Sequence, residues 1–470
     1  MKFLIKNKFV STFIGTICLY FGIGPAFILS FFYVYITSYI HLKQEKITMH
    51  YGLFIQLIFS FGAGISSPLA GLLENSVGFF FTTIIGFIIV FYTNMGFIFQ
   101  QNIWLCYGLT FASGFGAGIA TSLLFKNLTF YIPNKKGFLN GIFNIAMVFI
   151  GVIFGFGGEM LINYKGVTLK NEESYYPDEV AKRTYLYFFI AEFIIPVGLI
   201  FGLLFTYEYE QKNNIEKNSN SENNEKEEEK QKNELKKKYA MIKVKLALKS
   251  FRYWRFILFQ FFISIATSFI AGTFRLFGAL IGINGRALQI ILLLQSLFSL
   301  ILNPIIGILV DKKGPLIFIK IASIFSIPPA FILAFFMENN IIFLVDILIY
   351  ICILLVLGLS FSRFIMNVYG IQESVILSGI IILLSKISEI ITSITAFIFS
   401  LVCDKDKKCL KSKYKIMYII CGVCSVIGFL LVIFETEDKF IYTDIPADEE
   451  KLINKDEEKE SLGIEINTQN

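Results

Sequence analysis

Pro68-Leu-Ala-Gly71-Leu-Leu-Glu74-Asn75-Ser-Val-Gly78 and Pro304-Ile-Ile-Gly307-Ile-Leu-Val-Asp311-Lys-Lys-Gly314 are two versions of one phrase. Each closes a long apolar segment and opens the next, and the offset between them is 307 − 71 = 236 residues. A second pair keeps a common period: Lys126 follows Glu74 by 52 residues, and Arg363 follows Asp311 by 52. A turn that recurs with its charged partners inside hydrophobic sequence is what internal duplication leaves in a two-lobed membrane fold.

The rest of the chain agrees with that reading. Of 470 residues, 55% are hydrophobic and 17% charged, against about 25% charged in soluble proteins; the mean hydropathy is +0.66. Twelve apolar segments are long enough to cross about 30 Å of hydrocarbon: 9–39, 51–74, 77–99, 103–130, 138–161, 184–206, 253–280, 287–310, 315–337, 341–362, 374–402 and 414–434. Backbone groups in lipid must be bonded within their own segment, so these are predicted helices. No alternating strand pattern competes. The first segment is too long for a removed signal and lacks a small-residue cleavage site, so it reads as a retained helix.

The expected fold is an all-α membrane protein of about twelve transmembrane helices in two pseudo-symmetric six-helix lobes. The expected divisions are a first lobe over 1–206, a connection over 207–250, a second lobe over 251–434 and an acidic tail over 435–470. Residues 213–238 are a low-complexity mix of Asn, Glu, Lys and Ser with little to bury, and read as disordered. After them, Lys243, Lys245, Lys249, Arg252 and Arg255 alternate with apolar residues. That pattern suits an amphipathic helix on the membrane surface or plain positive-inside flanking charge.

Lys2, Lys6 and Lys8 before the first segment put the N-terminus, and by an even helix count the C-terminus, in the cytoplasm of a plasma or organelle membrane. One loop breaks the rule: residues 404–415 carry six lysines yet fall outside. The net charge of +6 suits anionic lipid headgroups rather than nucleic acid. Seven cysteines show no metal spacing; Cys403 and Cys409 flank the exceptional loop and can pair in an oxidising space. No metal and no cofactor is expected.

Glu74 with Lys126, and Asp311 with Arg363, are predicted pairs at the cytoplasmic ends of helices, able to hold that side shut and break as the lobes rock; solvated interfacial charge is the plainer alternative. The phrase of the second copy is similar to the loop signature of the major facilitator superfamily, in the same place between helices. The first copy departs from it, with Asn75 where the acid usually stands and Phe79–Phe81 in place of basic residues. Gly114-Phe-Gly116-Ala-Gly118, Tyr131-Ile-Pro133-Asn-Lys135-Lys136-Gly137, Gly141 and Asn303-Pro304-Ile-Ile-Gly307 resemble the monocarboxylate and oxalate/formate carriers within it.

Charge inside the bilayer is expensive and marks function. Lys386 stands near the middle of the eleventh segment, and the resemblance gives it the carboxylate-binding role that a lysine on that helix has in oxalate/formate carriers. Glu389, three residues on, is either a proton-exchanging partner or simply its local counter-charge. Arg275 can meet substrate or snorkel outward. Gln56, Asn144, Gln295 and Asn303 can meet substrate or bond neighbouring helices. Three charges of the monocarboxylate machinery are replaced: Asn303 and Ser299 stand for arginine and aspartate, and Ala26 follows Pro25 where a lysine is usual. Lactate–proton symport by that machinery does not follow. The expectation is a monomeric secondary active transporter for a small organic anion or carboxylate metabolite, with protons a candidate coupling ion. The alternatives are a uniporter or efflux carrier for a neutral or drug-like metabolite, or a non-transporting sensor on the same fold. An enzyme is not expected: the two histidines, His41 and His50, lie in the first outer loop, and no catalytic constellation faces the bilayer.

Overall fold

The computed structural model describes residues 7–27, 29, 32–47, 49–132, 135–165, 167, 175–207, 241–283, 285–403 and 406–438. The sequence-predicted disordered stretch 213–238 lies outside these residues, as does the tail beyond 438. The described residues are almost wholly helical. The first half comprises α1 (Lys8–Phe27), α2 (Tyr33–His41), α3 (Leu53–Val77), α4 (Phe79–Ile98), α5 (Ile103–Tyr131), α6 (Lys136–Ile162), α7 (Asp178–Ala181) and α8 (Thr184–Phe205). The second comprises α9 (241–249), α10 (Phe251–Leu280), α11 (Gly285–Lys313), α12 (Pro315–Phe325), α13 (Ile327–Phe336), α14 (Asn340–Tyr369), α15 (Ile371–Cys403) and α16 (Lys407–Ile433).

Eleven spans among the described residues are long and apolar enough to cross a membrane, and the 29-residue α11 joins them. Two predicted segments are broken. The first divides into α1 and α2 after Pro25. The ninth divides at Ser326, where Pro328 and Pro329 have no N–H to give the preceding turn.

Duplication in sequence reappears as duplication in packing. In the first half α3 and α4 pack on α5, while α1 and α4 pack on α8. In the second, α11 and α12 pack on α14, while α10 and α13 pack on α16. Between the halves the main seams are α3 against α15 and α6 against α11, again a matched pair. A core around Leu19, Phe87, Leu123 and Phe188 fills the first half. Among the described residues the two larger clusters of the second half lie around Tyr253, Phe256 and Phe364 and around Phe269, Phe277, Tyr350 and Tyr418.

The glycines of the repeated phrase divide its work. The reversals are single residues, Gly78 (φ +85°) and Gly314 (φ +83°), in the left-handed region that excludes most side chains. Gly71 and Gly307 lie inside α3 and α11 and face the opposite half instead. A Cβ on Gly71 would stand 2.8 Å from Ile376 Cγ1.

The face where α8 ends and α10 begins is called here the linker face. Chain leaving α8 is tied there, with Thr12 Oγ1 accepting from the Tyr207 N–H at 3.1 Å and Asn127 Nδ2 donating to its carbonyl at 2.9 Å. The basic stretch after the linker forms α9, which buries Val244 and Ala247 in the second half's core and exposes Lys245 and Lys249. The first residue of the predicted acidic tail is packed into the second lobe. Glu435 is buried, salt-bridged to Arg255 and to Arg252 Nε at 2.5 Å, and Lys320 Nζ donates to its carbonyl at 2.9 Å.

Candidate functional site

Two sets of residues deserve the word site: a charged cluster at the linker face, and polar groups along the two interlobe seams.

At the linker face, Asp311 closes α11 and reaches the other half. Its Oδ1 accepts from the Gly137 N–H at 2.8 Å and its Oδ2 from the Phe138 N–H at 2.9 Å. Those amides belong to the first turn of α6, where four N–H groups lack partners within the helix. A carboxylate there satisfies two of them and meets the positive end of the helix dipole. Glycine makes the approach possible: a Cβ on Gly137 would lie 2.6 Å from the Gly307 carbonyl oxygen. Arg363 Nε stands 3.4 Å from Asp311 Oδ1, an ion-pair neighbour rather than a hydrogen-bond donor. In the first half, Lys126 Nζ lies 2.7 Å from Glu74 Oε2, joining α5 to α3 within one lobe. The two pairs predicted from the 52-residue spacing are therefore both neighbours, each within its own lobe, and it is the bonds from Asp311 to the α6 amides that cross between lobes.

Lys386 is the sixteenth residue of the 33-residue α15, midway along it. Its stem packs against Gly64 of α3, whose missing side chain makes the room: a Cβ there would lie 3.0 Å from Lys386 Cγ. Lys386 Nζ and Glu389 Oε1 are 2.6 Å apart, and both side chains remain about a quarter exposed. The hydroxyls beside them are turned to the helix: Ser388 donates to the Ser385 carbonyl at 2.6 Å, and Ser385 to that of Ile382 at 2.7 Å. What this stretch of α15 leaves partly exposed is thus one ammonium–carboxylate pair, able to exchange partners with a charged or hydrogen-bonding solute.

The remaining candidates separate between seams. Gln56 shares α3 with Gly64 but lies eight residues away, about 12 Å along the axis; it is exposed and donates to Ser60 Oγ at 3.3 Å. Asn303 belongs to the α6–α11 seam, its carbonyl facing Gly141, and Asn144 lies on α6, half-buried. Asn303 is 1% exposed and neither end of its amide has a partner. Arg275 and Gln295 occupy α10 and α11, and their side chains lie outside those described.

Three features escape the sequence reading. The α6 amides that bind Asp311 are backbone groups, invisible to a search for side chains. Glu435 looks like the first residue of a polar tail, and only Arg252 and Arg255, about 180 positions away, explain its burial. Asp346, in α14, is 4% exposed with Oδ2 unpartnered; an acid inside an apolar segment is the available signal. On the face opposite the linker, Cys403 and Cys409 form a disulfide at the exceptional lysine loop. Among the described residues no cluster of His, Cys, Asp and Glu is fit to hold a metal ion.

A family model described as Major Facilitator Superfamily matches residues 12–369, about three quarters of the chain. No curated protein matches. Among solved structures, the fucose:proton symporter of E. coli is similar with a TM-score of 0.62 at 15% identity, over 92% of this chain and 100% of that one. A proton:xylose symporter bound to 6-bromo-6-deoxy-D-glucose gives 0.60 at 15% identity, over 90% and 94%. A bacterial homologue of the iron transporter ferroportin in the outward-facing state gives 0.61 at 12% identity, over 91% and 98%. At these identities the likeness is one of fold.

Proposed function

The chain belongs to the major facilitator superfamily and is a membrane transporter, not an enzyme; from that premise we propose that it is a secondary active transporter moving a small organic anion, such as a carboxylate metabolite, by alternating access. Lys386 attracts the carboxylate, Glu389 releases the ammonium by taking up a proton, and Asp311, bonded to the α6 amides of the other lobe, holds the linker face shut between cycles, while the Glu74–Lys126 and Asp311–Arg363 pairs brace each lobe there. The linker face is cytoplasmic in this reading, which agrees with the basic residues around it and with a disulfide on the opposite face. The observation that carries the proposal is the ion pair midway along α15, a quarter exposed and pressed against the other lobe at Gly64.

Purified protein in liposomes, screened with carboxylate metabolites under an imposed proton gradient, should accumulate at least one of them. Lys386→Gln should reduce that uptake at least tenfold; unchanged uptake would overturn the site assignment. One observation favours a second reading. Lys386 is already neutralised by Glu389 at 2.6 Å, which suits a neutral hydroxylated solute hydrogen-bonding to the pair, and two structural neighbours are named as sugar:proton symporters. A screen responding to neutral solutes and not to carboxylates selects it.

A further inference from the structure

Asp346 lies outside both seams, inside the second lobe. It sits six residues into α14, about 9 Å from the helix end opposite the linker face. Oδ2 is buried without a partner, and among the described residues Asp346 belongs to no ion pair. Around it is a pocket of buried hydroxyls. Tyr350, one turn along α14, and Tyr418 of α16 both lie within electrostatic reach of the carboxyl and both are fully buried. Buried Ser425 of α16 stands beside the Tyr350 hydroxyl and Thr273 of α10 beside that of Tyr418, each short of direct hydrogen-bond geometry. Phe269, Phe277, Phe343 and Ile347 close the pocket with apolar surface.

Such a carboxyl needs a positive partner, because an unpaired charge among aromatic rings is among the costliest groups a fold can hold. The described side chains around it offer none at this depth. On α13 and α16 the nearest charges, Glu338, Lys411 and Lys415, stand at the solvent edge, where Lys411 is 3.3 Å from Glu338 and Lys415 lies over the Phe335 ring. Tyr414, Cys421 and Cys424 are the other titratable groups on α16 near the pocket. Lys320 on α12, Asp311 on α11 and Lys136 on α6 belong to the linker face, and Lys386 and Glu389 on α15 to mid-depth. On α10, Thr273 and Phe277 lie toward the pocket. Arg275, two residues from each, occupies a position about half a turn round that helix.

We propose that Asp346 is a proton-binding site, with the hydroxyls of Tyr350, Tyr418 and Ser425 forming the short polar path along which its proton is exchanged. The site is distinct from the Lys386–Glu389 pair and stands whatever the transported solute proves to be. It gives the second lobe a charge that a pH difference across the membrane can load and unload.

The test is infrared difference spectroscopy of the full-length protein in lipid, recorded between acid and alkaline pH with no solute present. Wild type should show the carbonyl stretch of a protonated carboxylic acid, moved by carboxyl-labelled aspartate and lost in Asp346→Asn. Tyr350→Phe and Tyr418→Phe should shift that band and keep it, which separates a proton site from a misfolded variant. Absence of the band, or its survival in Asp346→Asn, overturns the proposal. So does a band that emerges only with Arg275→Gln, since Asp346 would then be the arginine's counter-ion. A wrong solute in the transport screen leaves these spectra untouched, so the two readings fail separately.

Discussion

Replacing Asp311 by asparagine tests whether one carboxylate latches the lobes at the linker face. The carboxylate accepts two backbone N–H groups from the other lobe, at 2.8 and 2.9 Å, with its side chain only 10% exposed. A hydrogen bond to a charged group is worth about 1.5–3 kcal/mol net, so the two supply about 3–6 kcal/mol to the closed arrangement. Asparagine keeps one acceptor oxygen and turns an NH2 toward the second amide, which loses about half of that, about 1.5–3 kcal/mol. At about 1.4 kcal/mol per tenfold, the ratio of closed to open linker face should fall by about 10- to 150-fold. Spin labels at Ser76 and Lys249, exposed residues in different lobes, report that ratio by pulsed dipolar distance measurement, with the free cysteines replaced. The variant should gain a longer-distance population at the expense of the shorter one. Should Asp311→Asn and Asp311→Ala both give the wild-type distribution, the latch does not exist and the two hydrogen bonds are incidental to closure.

Other perturbations follow from the same geometry. Gly141→Leu should hold the linker face open in the same distance measurement and abolish uptake, because even a Cβ there would lie 2.5 Å from the Asn303 carbonyl oxygen; normal closure would show that the α6–α11 seam yields. Glu435→Gln leaves Arg252 and Arg255 without their acid and should cost about 3 kcal/mol of stability, the low end for a buried pair because both arginines retain some water. Thermal unfolding in detergent checks it, and an unchanged midpoint would return Glu435 to the status of a tail residue. Lys165→Ala should leave the midpoint unmoved. Lys165 and Glu179 pair at 2.8 Å between the end of α6 and α7, which holds the Glu179 carboxyl below its ordinary range. Whatever stability the pair lends is therefore present above that range and lost as pH falls through it, but both partners are fully exposed and screened. A clear midpoint drop for this variant at neutral pH would contradict that reasoning.

How much of this was legible in the chain depends on which residues are asked about. The twelve spans and their order follow from hydrocarbon thickness and the need to satisfy backbone groups locally. The repeated phrase also carried its charges: Glu74 beside Lys126 and Asp311 beside Arg363 were set by a spacing that can be counted. Lys386 with Glu389 was equally plain, because three residues on a helix is one turn. Periodicity was silent about direction. In a soluble helix polar residues mark the outer face, but here lipid-facing and core-facing positions are equally apolar. That Gly71 and Gly307 lie against the opposite lobe was therefore not readable from their place in the phrase.

Sequence by itself determined that the protein is a duplicated bundle of membrane helices with charges at fixed stations, since each of those facts rests on contacts within one segment or on a repeat. Tertiary structure alone decided what the stations do. Asp311 meets amides 173 and 174 positions away, Glu435 is buried by arginines about as distant, and Asp346 is sealed by rings from three different helices. Burial and partnership of an ion are properties of the assembled interior, where charge is tolerated only as the surrounding helices allow.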